Sequence, residues 1–360
     1  MVQKKSMKSK LFPKSDIVKE DIERIIDLVP ECSLFENKKI LITGADGMIP
    51  SYFVYLYSYL NEFMFKKKCE IHVVVRNKKF CKRIAAFLNK PYVKTIVQDV
   101  SKRLNVEEPF AYIIHAASTA SPEKYTQEPV QTINTNVLGL YSLLALPQVK
   151  LESLLFFSTA ELYGSPQGKD IPIREDYVGS TNFHDIRSCY VESKRFGEVI
   201  CMNYFREYKT PIKIIRPFHV YSPEIDLRDK RIFAAFVKSA LEGKDIEING
   251  DGKPTRSLCY ITDAIVMILK TLLSDHNGQV FNIGNQKNEI SVKDLAILIT
   301  KISGNKINVK IHGMKNKFGS APIRSCPDMS KVKKFLKIEP TVDLESGFSR
   351  VFSYQRELNP

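Results

Sequence analysis

A tyrosine and a lysine, Tyr190 and Lys194, stand four residues apart in a run of helical character. On an α-helix this spacing places both side chains on one face, one turn apart. A free phenol titrates near ~10, and an ammonium group one turn away favours the phenolate and so lowers that pKa. The pair therefore has the composition of a general acid/base for interconverting an alcohol and a ketone. The alternative is a partly buried tyrosine beside a solvated lysine, and the spacing alone does not distinguish the two.

A strand–turn–helix unit near residue 40 is the first element that could support such chemistry. An apolar strand at 39–42 runs directly into a turn containing Gly44 and Gly47, and a helix carrying residues 52–63 follows. Glycine permits a tight turn and lets backbone N–H groups at the start of a helix approach a phosphate closely. We therefore predict that Gly44, Gly47, Met48 and Ile49 bind a dinucleotide phosphate.

The second predicted strand, at 70–75, ends at Arg76, with Lys78 and Lys79 close by. The residue just past this strand usually meets the adenosine ribose, and an acidic side chain there accepts hydrogen bonds from the ribose hydroxyls of NAD. A guanidinium suits the 2′-phosphate of NADP instead. The alternative is an arginine stacked on adenine with NAD bound. We expect NAD or NADP as the cofactor, and Arg76 favours NADP.

Further apolar strands at 93–97, 111–114, 154–157 and 212–215 end in small or polar residues. Parallel sheets bind ligands at the carboxyl ends of their strands, so these residues are candidates for the site. The Asp99 carboxylate could accept a hydrogen bond from the adenine amino group, and the small side chains of Ala116 and Ala117 let the backbone approach the cofactor. His115 is interpreted as structural, since no second histidine follows at metal-ligand spacing. The candidates, in chain order, are Asp99 and Val100, then His115, Ala116 and Ala117, and then Ser158, Thr159 and Glu161.

Repeated strand–helix units predict an α/β fold with a Rossmann-type, doubly wound parallel sheet and a smaller C-terminal substrate lobe. Residues 1–37 are interpreted as an N-terminal helical appendage, in which Asp16 caps a helix that stops at Pro30. Residues 38–221 form the dinucleotide-binding domain. Residues 222–360, with predicted helices at 232–242, 263–274 and 292–303, form the smaller lobe. We expect a discontinuous boundary, with some segments of this lobe returning to the sheet.

The composition is that of an ordinary soluble protein, with 44% hydrophobic and 26% charged residues among 360. No apolar run is long enough for a membrane span, and the N-terminal lysines precede no apolar segment or cleavage site of a secretory signal. The seven cysteines are scattered, which disfavours a disulfide framework or zinc site and favours reduced thiols in the cytoplasm.

The net charge of +14 raises the question of an anionic partner. The basic runs lie far apart and do not alternate with aromatic residues as in a nucleic-acid platform. Solvated lysine faces are therefore the favoured explanation, ahead of attraction for a small anionic substrate, and nucleic acid is disfavoured.

Together these motifs resemble the extended short-chain dehydrogenase/reductase family, in its nucleotide-sugar epimerase, dehydratase and decarboxylase branch, over residues 38–343. The resemblance implies that Tyr190 and Lys194 are catalytic, that hydride transfer occurs most often at C4 of a nucleotide sugar, and that the chain forms a homodimer through the helix carrying Tyr190. It also implies a role in polysaccharide biosynthesis. The matching motifs are TG at 43–44 with Gly47, Asp99, HAA at 115–117, Asn136 with Gly139, ST at 158–159, Tyr190 with Lys194, RP at 216–217, Arg256 with Tyr260 and Asp263, and FNIGN at 281–285.

The resemblance also implies individual roles. Tyr190 would exchange a proton with the sugar oxygen, to which Thr159 and Ser158 would hydrogen-bond, and Lys194 would hold the nicotinamide ribose. Arg256 resembles the arginine that clamps the substrate pyrophosphate, although a surface salt bridge is the alternative. The remaining two candidates for substrate binding are His219, where an asparagine is usual, and Arg324, which is similar to a C-terminal arginine of the UDP-glucuronate decarboxylases.

Residues expected near Tyr190 and Lys194 limit which reaction the chain could catalyse. The 4,6-dehydratases carry Asp-Glu after the Ser-Thr pair, whereas this chain has Ala160 and Glu161, which disfavours dehydration. The surrounding pattern looks like that of the UDP-glucuronate decarboxylases, but Glu224 stands where they usually have arginine. An NADPH-dependent reductase of a dTDP-4-keto-6-deoxyhexose would suit Arg76 and Ala160, and 4-epimerisation is a further alternative. A non-catalytic dinucleotide sensor is the rival of another class, and the complete set of catalytic residues argues against it.

Overall fold

The computed structural model of the chain describes residues 15–304, 306–313 and 322–358. The N-terminal lysines on which the expectation about a secretory signal depends lie outside the described residues. The first described helix begins at Asp16, but its cap is Ser15, whose hydroxyl accepts a hydrogen bond from the Ile17 N–H at 3.1 Å. The prediction of Asp16 as the cap was therefore one residue off, because the shorter serine side chain reaches the free N–H group.

Thirteen strands form the β-structure of the described residues. Seven of them make one parallel sheet with the order β3-β2-β1-β4-β5-β6-β10, so the strand order reverses between β1 and β4. The predicted doubly wound Rossmann-type sheet is confirmed. The strands are β1 (Lys39–Thr43), β2 (Glu70–Val75), β3 (Val93–Val97), β4 (Tyr112–His115), β5 (Ser153–Phe157), β6 (Ile212–Pro217), β7 (His219–Tyr221), β8 (Ile246–Ile248), β9 (Thr255–Tyr260), β10 (Gln279–Ile283), β11 (Glu289–Ser291), β12 (Val309–Ile311) and β13 (Arg324–Ser325).

Helices cover both faces of this sheet, as a parallel sheet requires. Ile40 and Ile42 of β1 point into the core on one face, whereas Leu41 points into the core on the other. Successive side chains of a strand alternate in this way, so the apolar run in β1 serves two cores. The described helices are α1 (Asp16–Leu28), α2 (Met48–Phe63), α3 (Pro122–Gln127), α4 (Pro129–Leu144), α5 (Ser188–Tyr208), α6 (Ile232–Leu241), α7 (Ile261–Leu273), α8 (Val292–Ser303), α9 (Ser330–Leu336) and α10 (Leu344–Leu358).

The C-terminal part contributes smaller sheets beside the end of β6. Strand β9 pairs with β7, β11 and β13, and β8 pairs with β12. Arg256 of β9 lies opposite Ile290 of β11 and Ser325 of β13. After β9 and α7 the chain returns to the large sheet as β10. The three-part division of the chain stays a prediction, and the pairing explains how segments far apart in sequence reach one site.

The helix α1 is fixed to the body by a buried carboxylate. Asp21 accepts hydrogen bonds from Tyr260 at 2.9 Å, Tyr52 at 3.3 Å and the Arg350 guanidinium at 2.8 Å. Burial raises the pKa of Asp21 to about 6, although the charge of Arg350 lowers it. These contacts join α1 to α2, β9 and α10.

None of the helices in the described part of the chain combines the length and the apolar character needed to span a membrane. All seven cysteines are free thiols.

Candidate active site

A cavity of about 1370 Å³ opens at the carboxyl ends of the central strands. Residues that follow β1 to β6 line one side of it, and residues of β9, β11 and β13 line the other. The strand order reverses at β1 and β4, which leaves a crevice where a ligand can lie. The sheet therefore brings together most of the candidate residues that the sequence distributes over nearly 300 positions.

The glycine turn after β1 leaves room for a ligand at the start of α2. Gly44 has a φ of +67°, and a Cβ at this position would lie 2.7 Å from the Ala117 Cα. Gly47 precedes the helix and provides no side-chain cap, and the helix begins at Met48. Met48 and Ile49 also line the cavity. A helix start with uncapped N–H groups and no Cβ in the way fits the phosphates of a dinucleotide.

The adenosine end of the cavity is formed by Arg76, which is exposed, and Asp99, with Val100 beside it. The Asp99 carboxylate accepts from Gln131 Nε2 at 2.8 Å and from the Ser101 N–H at 2.9 Å. Burial raises the pKa of Asp99, but these hydrogen bonds and the charge of Arg76 together hold it below its usual value. The carboxylate thus stays an acceptor, although part of its capacity is used within the chain.

His115 differs from its neighbours in position. Ala116 and Ala117 line the cavity, whereas the His115 ring is fully buried, with Nδ1 at 2.8 Å from the Thr43 hydroxyl. The same hydroxyl accepts from the Ala117 N–H at 3.1 Å, so it links the His115 ring to the backbone just after β4. Burial lowers the pKa of His115 to about 3, so the ring is neutral. The buried imidazole therefore links the ends of β1 and β4 and does not itself line the cavity.

Tyr190 is the third residue of α5, and its ring is buried at the base of the cavity. The Thr159 side chain hydrogen-bonds its phenol. The Tyr125 ring stacks on it with centroids 5.0 Å apart and an interplanar angle of 3°. Burial and then the charge of Glu161 raise the pKa of Tyr190 well above its usual value, while the Thr159 hydrogen bond lowers it.

Lys194 lies one turn further along α5 and is 1% exposed. Its Nζ donates to the Phe157 carbonyl at 2.7 Å. Burial lowers the pKa of Lys194 to about 7. The net pKa of Tyr190 is raised because burial and Glu161 dominate at the phenol, and the role of Lys194 in lowering it stays a prediction.

Glu161 follows β5 in a short turn begun by Thr159, whose hydroxyl accepts from the Glu161 N–H at 3.2 Å. The Glu161 carboxylate is within 3.4 Å of the Tyr125 hydroxyl and 3.5 Å of Arg187 Nη2. Burial raises the pKa of Glu161, and Arg187 lowers it in part. The hydroxyl of Ser158 is buried with no partner among the described residues. Arg187 and Tyr125 were not predicted as site residues, although Arg187 stands three residues before Tyr190, on the same helical face.

The second lobe adds cations opposite the glycine turn. Arg256 donates to the Thr255 carbonyl at 2.7 Å and has no ion pair with a described residue. Burial, then the charges of Arg256 and Arg231, lower the pKa of His219 to about 3. Arg231 also lines the cavity. It was not predicted from the sequence, because it stands in a polar loop without a recognisable motif. A half-buried arginine without a carboxylate partner, such as Arg256, is suited to a phosphate.

Arg324 also lines the cavity, but its guanidinium is engaged by the Glu289 carboxylate through two hydrogen bonds of 2.6 and 2.8 Å. Glu224, by contrast, is not among the cavity residues. Its carboxylate accepts from Tyr55 at 2.9 Å and Tyr354 at 3.3 Å. Glu224 therefore stabilises the packing of α2 on α10, and the arginine that the UDP-glucuronate decarboxylases usually have at this position is still missing.

One cluster resembles a metal site at the opposite edge of the sheet. Ligand atoms of Glu70, His72 and Glu108 lie within 4.8 Å of one another. Lys94 is 3.0 Å from Glu70, and Lys39 pairs with Glu108. The lysines already neutralise the carboxylates, so we assign no metal to this cluster.

A Rossmann sheet with a glycine turn at its first strand and a Tyr–Lys pair at the base of the cavity defines an enzyme of the short-chain dehydrogenase/reductase class. Comparison with known proteins agrees. The model of the NAD dependent epimerase/dehydratase family matches residues 40–284. UDP-glucuronic acid decarboxylase 6 of Arabidopsis thaliana is 33% identical over 314 residues, which cover 86% of this chain and 87% of that protein.

Two further relatives give the same result. UDP-glucuronic acid decarboxylase 1 of Xenopus tropicalis is 31% identical over 325 residues, which cover 89% of this chain and 73% of that protein. The crystal structure of the UDP-glucuronic acid 4-epimerase of Bacillus cereus with UDP-glucuronic acid and NAD has a TM-score of 0.72 and 25% identity, covering 89% of this chain and 99% of that one. The chain belongs to the NAD dependent epimerase/dehydratase family. The prediction of an NAD-dependent enzyme of the nucleotide-sugar branch is confirmed.

Proposed function

We propose that the protein decarboxylates UDP-glucuronic acid after oxidation at C4. The observation that carries this proposal is the 33% identity to a UDP-glucuronic acid decarboxylase over 86% of the chain. The cavity supports it, since Glu161 stands beside Thr159 with Ala160 in place of a second acid. The acid/base pair needed to eliminate water is therefore incomplete.

The cofactor proposed for the cavity is NAD or NADP, with its phosphates at Gly44, Gly47, Met48 and Ile49. Bound there, the nicotinamide would supply reversible hydride transfer at C4 of the sugar. Asp99 and Val100 would hold the adenine, and Ala116 and Ala117 would lie along the dinucleotide. The exposed guanidinium of Arg76 favours the 2′-phosphate of NADP, and stacking on the adenine of NAD is the alternative.

In this mechanism Tyr190 takes the proton of the C4 hydroxyl as C4 is oxidised, and Thr159 hydrogen-bonds the same oxygen. The unpartnered Ser158 hydroxyl is a second donor for that oxygen. Lys194, buried with its Nζ on the Phe157 carbonyl, is placed by its spacing to hold the nicotinamide ribose. The high pKa of the phenol in the free protein means that it is protonated there, and a bound cation nearby would bring the pKa closer to neutrality.

Loss of carbon dioxide follows from the substrate's own chemistry. A ketone at C4 makes the C6 carboxylate a β-keto acid, so carbon dioxide can leave while the C5–C6 electron pair moves into an enolate whose oxygen is O4. The protonated Tyr190 is then the donor that stabilises this oxygen. A proton from solvent at C5 then restores the C4 ketone, and Tyr190 returns its proton to O4 when C4 is reduced again. Glu161, a carboxylate near the same centre, disfavours a bound carboxylate and favours its loss as a neutral gas.

The diphosphate is assigned to Arg256, whose guanidinium lacks a carboxylate partner among the described residues, with His219 as a neutral hydrogen-bond donor. Arg324 is assigned to the substrate as well. Because Glu289 engages it, its contribution requires a shared contact or a movement away from that carboxylate.

Reduction of a dTDP-4-keto-6-deoxyhexose is the second candidate, and Arg76 together with Ala160 favours it. A decarboxylase or epimerase recycles its cofactor, whereas a reductase consumes one NADPH per turnover. We would supply UDP-glucuronic acid with NAD, and separately dTDP-4-keto-6-deoxyglucose with NADPH, and measure carbon dioxide release and reduced-cofactor absorbance. Carbon dioxide without net change in cofactor supports the proposal. Net oxidation of NADPH without release of carbon dioxide would contradict decarboxylation and support the reductase. If no sugar nucleotide raises the Tm of the protein, a nucleotide-sugar substrate is rejected and the non-catalytic dinucleotide sensor is favoured.

We also propose that two copies associate through α4 and α5. These helices pack against each other and leave apolar side chains exposed, which favours a second copy as their partner. Sedimentation of the wild type and of Phe196→Glu would test it, since a dimer of unchanged stability in the variant would contradict the assignment. The exposed apolar residues of the two helices are Val130, Ile133, Leu138, Tyr141, Phe196, Val199 and Tyr208.

We further propose a cytoplasmic location, with which the free thiols are consistent.

A further inference from the structure

Arg187 closes a triangle of side chains at the base of the cavity. It stands immediately before α5, at the end of a polar loop. Its Nε donates to the Tyr125 hydroxyl at 3.2 Å, and its Nη2 lies 3.5 Å from Glu161 Oε2. The Tyr125 hydroxyl in turn donates to the same oxygen at 3.4 Å. Hydrogen bonds of this length are weak, so the attraction between Arg187 and Glu161 is mainly one of charge.

Two corners of the triangle, Tyr125 and Glu161, act directly on Tyr190. The Tyr125 ring lies flat against the Tyr190 ring at 5.0 Å, so holding Tyr125 also fixes one face of Tyr190. Glu161 acts on Tyr190 by charge from the turn after β5. Both neighbours of the phenol are therefore attached to one guanidinium.

We propose that Arg187 is a positioning residue for this active site, which holds Tyr125 and Glu161 around Tyr190 and offsets the negative charge that Glu161 presents to the phenol. The proposal rests on Tyr190 being the acid/base of the proposed function. Arg187 acts through its two neighbours and need not touch the substrate.

Among the other groups facing Tyr190, the one whose charge lowers the pKa of the phenol is Arg231. Thr159 and Tyr125 are neutral, and the Lys194 ammonium is directed to a backbone carbonyl and weakened by burial. Arg231 acts on Tyr190 and Glu161 from the start of α6, but its guanidinium pairs with Asp229 at 2.6 Å. Among the described residues, Arg187 is thus the cation that forms an ion pair with Glu161.

The test compares the pH dependence of turnover in Arg187→Gln, Glu161→Gln and the double variant. Removing Arg187 leaves Glu161 with only the more distant charge of Arg231 to offset it, so the pKa of Tyr190 rises and the pH–rate profile moves to higher pH by roughly half a unit to one unit. Glu161→Gln moves the profile to lower pH, and the double variant follows Glu161→Gln. Arg187→Lys keeps the charge and restores most of the wild-type profile.

Arg228→Gln is the matched control, because Arg228 pairs with Asp226 at 2.6 Å but is exposed and does not line the cavity. It leaves the profile unchanged. An Arg187→Gln profile that falls equally at every pH, with no rescue by Glu161→Gln, assigns Arg187 a merely structural role and overturns the proposal.

A second measurement does not depend on turnover. In protein labelled with ¹³C at the tyrosine Cζ, Tyr190 is assigned by the signal lost in Tyr190→Phe. We expect phenolate formation at lower pH in Glu161→Gln than in the wild type, and at higher pH in Arg187→Gln than in the wild type. Absence of turnover with these shifts intact would reject the proposed function and keep the role of Arg187. Identical titrations in all three proteins would reject the role itself.

Discussion

The glycine turn offers a sharp comparison, because two glycines share a backbone conformation and differ in their surroundings. Gly44 has a φ of +67° and Gly243 a φ of +66°. A Cβ at Gly44 would lie 2.7 Å from the Ala117 Cα, whereas nothing lies within 4 Å of a Cβ at Gly243. The substitutions Gly44→Ala and Gly243→Ala therefore impose the same backbone strain, and only the first adds a collision.

The expected magnitudes follow from this geometry. The left-handed conformation costs alanine about 1–2 kcal/mol at either position. At Gly44 the methyl group would also be about 0.7 Å inside ordinary contact with backbone atoms, and overpacking of this kind costs typically ~1–3 kcal/mol more. The Ala117 backbone lies beside the cavity, so relief of the clash displaces the turn that we assign to the phosphates.

The assay is calorimetric titration of each variant with NAD and NADP, together with its free energy of unfolding. Gly243→Ala should bind with wild-type affinity and lose only the smaller amount of stability. Gly44→Ala should bind at least about tenfold more weakly, which corresponds to ~1.4 kcal/mol. Wild-type affinity in Gly44→Ala would refute the assignment of this turn to the cofactor, whereas equal losses in both variants would refute the role of the collision.

Three further predictions concern titrating side chains. Tyr190→Phe should lower turnover by about 10²–10⁴-fold and leave the cofactor Kd nearly unchanged, and retention of most activity would contradict its role as acid/base. His219 is neutral in the free protein, and a bound diphosphate should raise its pKa from about 3, so UDP affinity should increase towards acid pH in the wild type and less in His219→Asn; parallel curves would count against the contact. Asp21, with its pKa raised to about 6, contributes stability that is fully present below its unfolded pKa near ~3.9 and is lost as the pH rises through about 6. The wild type should therefore gain up to about 3 kcal/mol relative to Asp21→Asn between neutral and acid pH, measured by denaturant unfolding, and a pH-independent difference would contradict the raised pKa.

Much of the fold could be predicted because the strands carry strong local signals. The apolar runs ending at Gly44, Arg76 and Asp99 were predicted within a residue or two of β1, β2 and β3. Their order in the sheet follows from the rules of parallel strands, so the position of the cavity was accessible too.

The environment of the catalytic pair could not be predicted, because it depends on contacts distant in sequence. Nothing near Tyr125 indicates that its ring stacks on Tyr190, and the spacing of Lys194 does not reveal that its ammonium is buried against a carbonyl. Arg324 illustrates the same point, since its pairing with Glu289 arises only when β13 and β11 meet β9. Local spacing thus indicated which side chains are candidates for the site. Their charge states depend on burial and on partners distant in sequence, which the spacing does not reveal.

The central claim, hydride transfer at C4 followed by decarboxylation, is tested most directly by the fate of a label. The enzyme would be given UDP-glucuronic acid carrying deuterium at C4, with unlabelled NAD, and the product would be analysed by mass spectrometry and NMR. We predict a UDP-pentose that has lost carbon dioxide and retains deuterium at C4, because the hydride removed from C4 is returned to it. A decarboxylated product whose C4 deuterium is lost to solvent, or a product that keeps its carboxylate, would contradict the account.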